Sequence, residues 1–166
     1  RGLDAMTYAC YQDARFMLVA TPSGITLGPE GGAHQSIFTP LIGIGHANLA
    51  SFEPAYADEL AVIMGWSFDY MQKPDGSSVY LRLSTRPLEQ PARTMSPALE
   101  KGILAGAYWA VPPNPHCDLA VIYSGAVAPE AMAAFKIIRE DVPNAALLAI
   151  TSGDRLMDSW SAAARR

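Results

Sequence analysis

The residues with the clearest chemical potential lie in one glycine-rich loop, from Thr21 to Gln35. This loop contains the carboxylate of Glu30 and the imidazole of His34, four residues apart, and the amide of Gln35 follows directly. The apolar run 16–20 precedes it and predicts a buried strand, and loops that follow parallel strands are where α/β sheets place binding sites. An imidazole and a carboxylate that converge on one loop can orient and protonate a small oxygenated substrate.

The glycines of this loop do not identify a function by themselves. No Lys-Ser/Thr pair follows them to make a phosphate-binding loop, and the pattern Gly-x-Gly-x-x-Gly is absent. Glycines also serve tight turns, so a purely structural role for the loop stays open at this point. The other candidate side chains favour structural roles. His46 lies alone in a loop, His116-Cys117 lacks a second ligand pair for a metal, and Asp58 and Glu59 suit the first turn of a helix.

The composition indicates a large core and few surface charges. Of the 166 residues 50% are hydrophobic and 17% are charged, against roughly 25% charged in average soluble domains. This balance favours a protein that is buried in a larger assembly. The net charge of −4 argues against nucleic-acid or anionic-membrane partners, which need clustered Lys and Arg.

The sequence also gives expectations about the cellular location of the protein and about the two ends of the chain. Cys10 and Cys117 lie far apart in apolar contexts, which favours reduced thiols and a cytoplasmic protein. No apolar run approaches the ~20 residues of a membrane span. The chain starts with Arg1 and shows helical spacing at both ends without capping residues. We therefore expect it to be a fragment of a longer protein.

Strands that alternate with helices predict an α/β fold with parallel sheet layers flanked by helices, in two partial units. Three prolines within 86–97 predict an extended linker between the units. The expected helices cover 2–14, 36–45, 55–72, 129–140 and the residues after 152. The expected strands cover 16–20, 49–52, 78–83, 102–111, 119–123 and 146–150.

Three segments together resemble one enzyme family. Gly28, Gly31, His34 and Gln35 have the spacing Gly-x-x-Gly-x-x-His-Gln, which thiamine-diphosphate enzymes of the transketolase family carry ahead of a helix. The other segments are 47–60, with the pattern Asn-x-x-x-x-x-Pro-x-x-x-x-Glu, and 78–86, which is followed by a linker and by 99–103. Together they resemble the homodimeric decarboxylating component of 2-oxo acid dehydrogenase complexes, of the pyruvate dehydrogenase kind.

The resemblance implies a domain organisation and a cofactor. Residues 1–86 resemble the later part of the pyrimidine-binding domain, 87–97 a linker, and 98–166 the first part of the carboxy-terminal domain. The implied cofactors are thiamine diphosphate and Mg²⁺, whose main ligands would lie upstream of this chain, so no cofactor-binding or metal-binding residue is assigned here. The implied partners are a small 2-oxo acid, a lipoyl-bearing acyltransferase and a second copy of the enzyme.

The resemblance also implies roles for the loop residues. His34 would face the reactive thiazolium carbon, and Glu30 and Gln35 would shape the substrate pocket. Pro22 stands where sugar transketolases have a second substrate-binding histidine, which disfavours polyol phosphates and not small 2-oxo acids. Two alternatives stay open: an enzyme like transketolase or deoxyxylulose-phosphate synthase that acts on sugar phosphates, and an α/β interaction module without catalysis.

The 166-residue chain by itself is expected to have no decarboxylase activity. It contains no Mg²⁺-diphosphate motif, and the glutamate that activates the cofactor in the family would lie upstream. The test is an assay of pyruvate consumption with thiamine diphosphate, Mg²⁺ and an artificial electron acceptor. Measurable turnover by the chain would contradict its assignment as a fragment.

Overall fold

A computed structural model describes residues 2–32, 34–36 and 38–165 of the chain. Within them the protein has an α/β fold with mainly parallel sheets flanked by helices, as the sequence predicts. The helices are α1 (Gly2–Tyr11), α2 (Thr39–Ile44), α3 (Ala57–Tyr70), α4 (Pro97–Ala105), α5 (Ala128–Asp141) and α6 (Gly153–Ala164). The strands are β1 (Met17–Ala20), β2 (Leu49–Phe52), β3 (Ser78–Arg82), β4 (Ala107–Val111), β5 (Ala120–Ser124) and β6 (Ala146–Ile150).

The first sheet has the strand order β1–β3–β2, and both strand pairs are parallel. In the central strand β3, Val79 lies between Met17 of β1 and Ala50 of β2. All five residues of β3 are buried, because helices cover both faces of a central parallel strand. The apolar run 79–81 suits this position, whereas the charge of Arg82 at the end of the strand is an exception.

The second sheet has the order β4–β6–β5. The β5–β6 pair is parallel, whereas β4 runs antiparallel to β6 with a register shift between Trp109 and Val111. Between the sheets, residues 83–96 contain neither helix nor strand, in agreement with the extended linker that the prolines predict. The assignment of the two halves to particular family domains remains a prediction.

The predicted strand over 102–111 is wrong in its first part, because α4 extends to Ala105. The Ser96 hydroxyl accepts a hydrogen bond from the backbone N–H of Leu99 at 3.2 Å, and Pro97 occupies the first helical turn, where it needs no hydrogen-bond donor. Gly106 ends the helix with a φ of 108°, and the strand starts only after it. The predicted helix over 36–45 is observed over 39–44, and residue 37 lies outside the described residues.

Hydrogen bonds join the two sheets where their strands end. The Glu53 N–H donates to the Thr151 carbonyl at 2.7 Å. The Ser152 hydroxyl donates to the Ser51 carbonyl at 2.6 Å, and the Ser51 N–H donates to the Asp154 carboxylate at 2.9 Å. The carboxyl ends of β2 and β6 are therefore held side by side, so loops from both sheets open onto the same region.

One apolar core extends beneath both sheets. Its fully buried members come from α3, α4 and strands of both sheets: Phe52, Ile63, Val79, Leu81, Ile103 and Leu147. Such a shared core packs the two sheets as one body instead of two separate layers. In the described part of the chain, no helix is both long and apolar enough to cross a membrane.

A buried carboxylate, Glu59, lies where the two sheets pack together and is only 1% exposed. Its Oε2 accepts hydrogen bonds from the backbone N–H groups of Ala55 at 2.8 Å and Tyr56 at 3.2 Å. Its Oε1 accepts from the Tyr108 hydroxyl at 2.5 Å and from Arg93 Nη2 at 3.1 Å. Glu59 thus connects the beginning of α3, the linker and β4 in one polar cluster, which we call the Glu59 cluster.

Arg93 supplies the positive charge of the Glu59 cluster. It donates to both oxygens of Asp58, from Nε at 2.7 Å and from Nη2 at 2.9 Å, and its Nη1 donates to the Tyr108 oxygen at 2.7 Å. The hydrogen bonds from Arg93 hold the pKa of Asp58 below its ordinary value of 3.8. Burial acts to lower the pKa of Arg93, but its bonds to Asp58 and Tyr108 outweigh this effect and raise it. Both groups are therefore ionised at neutral pH.

Replacing Arg93 with methionine is expected to lower the free energy of unfolding by about 3 kcal/mol, the size typical of breaking a buried ion pair. The variant would leave the carboxylate of Glu59 in the core without its counter-charge. The measurement is urea denaturation at pH 7. Arg86→Met is a matched control, because it removes an ion pair with Glu130 whose two side chains are 37% and 58% exposed. Equal losses in the two variants would contradict the assigned role.

The pH dependence of the same variant separates charge from packing. Because the folded pKa of Asp58 is lowered, its contribution to stability is complete above its unfolded pKa and disappears as the pH falls through the folded pKa. The wild type should therefore lose stability below pH 3.8, and Arg93→Met should lose less over that range. A difference between the two proteins that does not change with pH would attribute the effect of Arg93 to packing alone.

Candidate functional site

The glycine-rich loop after β1 folds back on itself. Two short 3₁₀ turns, Gly24–Thr26 and Gly28–Glu30, form its first part. A Cβ at Gly24 would overlap the backbone of Ser36, so only glycine allows the two ends of the loop to approach this closely. The contact holds Gln35 and Ser36 beside the start of the loop.

The structure separates the three predicted loop residues. Gln35 lines a cavity together with Gly24. His34 and Glu30 are exposed and do not line it; the His34 N–H donates to the Gly31 carbonyl at 3.1 Å, and residue 33 lies outside the described residues. The roles assigned to Glu30, His34 and Gln35 therefore remain predictions.

The cavity has a volume of about 600 Å³ and lies where β2, β3 and β5 end. Ligands of open α/β sheets bind outside the carboxyl ends of the strands, so this position is typical of a binding site. Its lining combines apolar side chains with a few polar groups. They are Gly24, Ile25, Gln35, Ser36, Pro40, Glu53, Arg82, Ile122, Tyr123, Ser124, Ala126 and Val127.

An ion pair between Glu53 and Arg82 forms the charged part of the cavity wall. Arg82 ends β3, and its side chain is 8% exposed. Its Nη1 donates to Glu53 Oε1, and its Nε donates to the Thr39 hydroxyl at 2.9 Å. These contacts fix the guanidinium at the cavity wall.

Gly125, just after β5, leaves the space that the Glu53 carboxyl group occupies. A Cβ at Gly125 would lie 2.6 Å from Glu53 Oε1, and the φ of this glycine is 55°. Both the conformation and the close approach require glycine. Glu53 extends from the first sheet, and its carboxyl group packs against Gly125 of the second sheet.

Burial raises the pKa of Glu53, and the charge and hydrogen bond of Arg82 partly offset that rise. A carboxyl group in this environment can exchange a proton closer to neutral pH than an exposed glutamate can. The guanidinium beside it is a permanent hydrogen-bond donor for an anion. The cavity can therefore bind a small anion and exchange a proton next to it.

Tyr123 connects the cavity with the Glu59 cluster. It is 5% exposed and lines the cavity. Burial, together with nearby Tyr56 and Glu59, raises the pKa of Tyr123 to about 12. At neutral pH its hydroxyl therefore keeps its proton.

Sequence reasoning did not identify Glu53 and Arg82. The available signal was the placement of charged residues at the ends of two strands, β2 and β3, that are otherwise buried along their whole length. A charge at the end of a fully buried strand is costly unless it is paired. Nothing in the sequence indicates that the two side chains meet, because 28 residues lie between them.

His46 has the structural role that the sequence favours. His46 has a hydrogen-bond partner at each ring nitrogen, the Ile42 carbonyl at 2.6 Å and the Thr7 hydroxyl at 3.0 Å. Over the described residues, no three His, Cys, Asp or Glu side chains are grouped so that they could hold a metal ion. The residues that the structure describes thus do not fit a Mg²⁺-diphosphate site.

Comparison with curated proteins gives relatives of one kind, although no protein-family model matches the chain. It is 31% identical over 143 residues to the pyruvate dehydrogenase E1 component of Mycolicibacterium smegmatis, which covers 83% of the chain and 15% of the relative. It is 33% identical over 98 residues to the Escherichia coli K12 pyruvate dehydrogenase E1 component, which covers 58% and 11%. The chain thus spans about one seventh or less of these relatives.

Solved transketolases have the same fold. The transketolase of Leishmania mexicana superposes with a TM-score of 0.78 at 20% identity over 94% of the chain and 22% of that structure. The transketolase of Campylobacter jejuni gives a TM-score of 0.70 at 16% identity over 93% of the chain and 23% of that structure. The sequence relatives and the shared fold confirm the resemblance that the three sequence segments indicate.

Proposed function

We propose that this chain, a relative of a segment of transketolase-like, thiamine-diphosphate-dependent enzymes, is part of the decarboxylating component of a 2-oxo acid dehydrogenase. The whole protein would decarboxylate pyruvate or a close homologue such as 2-oxobutyrate and pass the acyl unit to a lipoyl group. The observation that carries this proposal is the 31% identity to a pyruvate dehydrogenase E1 component over 83% of the chain.

The cavity at the strand ends supports the proposal. It has room for a small 2-oxo acid, and its polar side chains are few: one ion pair, the Gln35 amide and two serines, with Tyr123 also in the lining. A substrate with one carbonyl and one carboxylate can be satisfied by so few partners. A polyol phosphate would leave several hydroxyls unpaired, at a cost of about 1–3 kcal/mol each.

Within the whole protein, His34 is proposed to move a proton at the reacting carbon, with Glu30 and Gln35 as substrate-binding residues. Thiamine diphosphate, when bound, stabilises the carbanion that decarboxylation leaves. Because no Mg²⁺-diphosphate site fits the described residues, we assign its ligands to other parts of the protein. The exposure of His34 and Glu30 leaves both accessible to such parts.

The partners follow from the same proposal. The whole protein would act as a homodimer in the cytoplasm and would deliver its product to a lipoyl-bearing acyltransferase. The low proportion of charged residues, 17%, is consistent with a chain that is largely covered in an assembly. Exposed apolar side chains such as Phe38, Leu41 and Trp160, between 59% and 67% exposed, support this expectation.

In the whole protein, His34→Ala is expected to lower kcat roughly a hundredfold, the size expected for the loss of one positioned acid–base group. The affinity for thiamine diphosphate should change little, because no cofactor ligand is removed. Steady-state kinetics with pyruvate and a titration of the cofactor measure the two quantities. His116→Ala is the matched control, since His116 is exposed and lies away from the cavity. Wild-type turnover in His34→Ala would make His34 a structural residue.

The choice between the enzyme classes is decided by assaying both substrate types on the whole protein. Pyruvate or 2-oxobutyrate should be consumed, and xylulose 5-phosphate should remain unchanged. The physical reason is that Pro22 has no side-chain donor for a sugar hydroxyl. Ketol transfer from xylulose 5-phosphate without consumption of the oxo acid would replace this proposal with a sugar transketolase. The absence of both activities would favour an interaction module.

A further inference from the structure

The guanidinium of Arg82 has donors that the protein does not use. Its side chain is more than nine-tenths buried, yet the recorded hydrogen bonds engage only Nε and Nη1. Among the described residues, Nη2 makes no hydrogen bond. Because Arg82 lines the cavity, Nη2 is the donor that remains for a ligand bound there.

The charges around the cavity limit what can bind there. Of the described residues that line it, only Arg82 and Glu53 are ionisable at moderate pH. One guanidinium balances one negative charge, so the cavity suits a monoanion better than a phosphate dianion. The planar guanidinium also matches the geometry of a carboxylate.

We infer that Arg82 binds the carboxylate of the substrate through Nη2, and that Glu53, its internal counter-ion, takes up a proton when this carboxylate binds. The identity of that carboxylate as a 2-oxo acid rests on the proposed function. Arg82 is then a substrate-binding residue, and Glu53 couples binding to pH.

The proton uptake follows from electrostatics. In the free protein the two charges cancel, and a bound carboxylate adds a second negative charge beside the same guanidinium. Burial already raises the pKa of Glu53, and the bound anion raises it further, because a nearby like charge disfavours the ionised form. Protonation of Glu53 removes this repulsion, and Arg82 is left to pair with the ligand.

Within the described part of the chain, no other group beside the pair titrates in the same range. The ionisable groups that face it are the phenols of Tyr80, on β3, and Tyr123, on β5. Burial raises the pKa of both above the ordinary 10.0, so they stay neutral. The nearest parts of α2 and of the segment after β5 contribute Thr39 and Gly125, which do not titrate.

The binding test uses pyruvate as the probe, titrated into the 166-residue chain and followed by the NMR signals of the Arg82 side chain and the Gly125 amide. Arg82→Met is expected to bind pyruvate about tenfold or more weakly, as for the loss of a charge-assisted hydrogen bond. Glu53→Gln keeps the guanidinium and removes the competing charge, so it should bind more tightly at neutral pH. Glu89→Gln, on the exposed linker, is the matched control. Unchanged binding in both site variants would overturn the inference.

The pH profile tests the coupling to Glu53. Between the pKa of Glu53 in the free chain and its higher pKa in the complex, binding takes up one proton. The affinity for pyruvate should therefore fall about tenfold per pH unit as the pH rises through that window, and it should be constant below it. Glu53→Gln should show no such dependence. A Glu53→Gln profile that matches the wild type would overturn the role of Glu53.

Inorganic phosphate serves as the competing probe. At a pH where inorganic phosphate is mainly the dianion, it should bind more weakly than pyruvate does at the same pH, because one guanidinium does not balance a dianion. Tight binding of phosphate without binding of pyruvate would overturn the assignment of the occupant as a carboxylate.

Kinetics of the whole protein distinguish this inference from the proposed function and do not depend on the isolated chain. Arg82→Met should raise the KM for pyruvate about tenfold or more and change kcat less, as for the loss of a binding contact. Turnover of pyruvate with an unchanged KM would overturn the inference alone. A whole protein without oxo acid turnover would overturn the proposed function, whereas Arg82-dependent binding of pyruvate would still support the anion site.

Discussion

Glu59 brings a negative charge into the core between the two sheets, and a charge at that depth has to be compensated on every side. The compensation comes from three parts of the chain: the backbone N–H groups that lead into α3, Arg93 of the linker and Tyr108 of β4. Each partner is in reach only when α3, the linker and β4 are packed together. The linker has no helix or strand of its own, so this cluster holds it in place and fixes the position of the second sheet.

The cavity depends on the same packing. β2 leads through Glu53 and Pro54 directly to α3, where Glu59 anchors the helix. Fixing α3 therefore fixes Glu53, whose carboxyl group lies between Arg82 of the first sheet and Gly125 of the second. The site is thus formed where the two sheets pack against each other. Neither sheet alone has the ion pair seated against Gly125.

We propose that this chain binds substrate while other parts of the protein bind the cofactor, and the arrangement of the cavity agrees with this proposal. The described residues contain no grouping that fits Mg²⁺, and the chain spans only 15% of its M. smegmatis relative. What it does provide is a cavity with one buried guanidinium, an amide and a proton-exchanging carboxyl group. Such groups bind and orient a small anion, while the electron-accepting chemistry belongs to a cofactor held elsewhere.

The sequence by itself determined the local structure wherever the residues of a short segment are sufficient to specify its conformation. Alternating apolar runs and helical periods predicted the α/β class, and the prolines of 86–97 predicted the extended linker. The loop spacing and two further segments indicated the family, because glycine, histidine and proline positions reflect backbone and chemical constraints that are local. The start of α4 was missed, although its signals, Ser96 and Pro97 at the helix start and Gly106 at its end, are local as well.

Only the tertiary structure decided which distant side chains meet. Asp58 and Glu59 fit a helix start in the sequence, but their bonds to Arg93 and Tyr108 come from residues 34 to 49 positions away. Glu53 and Arg82 gave no sequence signal as a pair, since parallel strands bring together residues that are far apart in the chain. Burial and pairing are set by the packing of the two sheets. Of the three loop residues, all of which are exposed, only Gln35 lines the cavity that this packing forms.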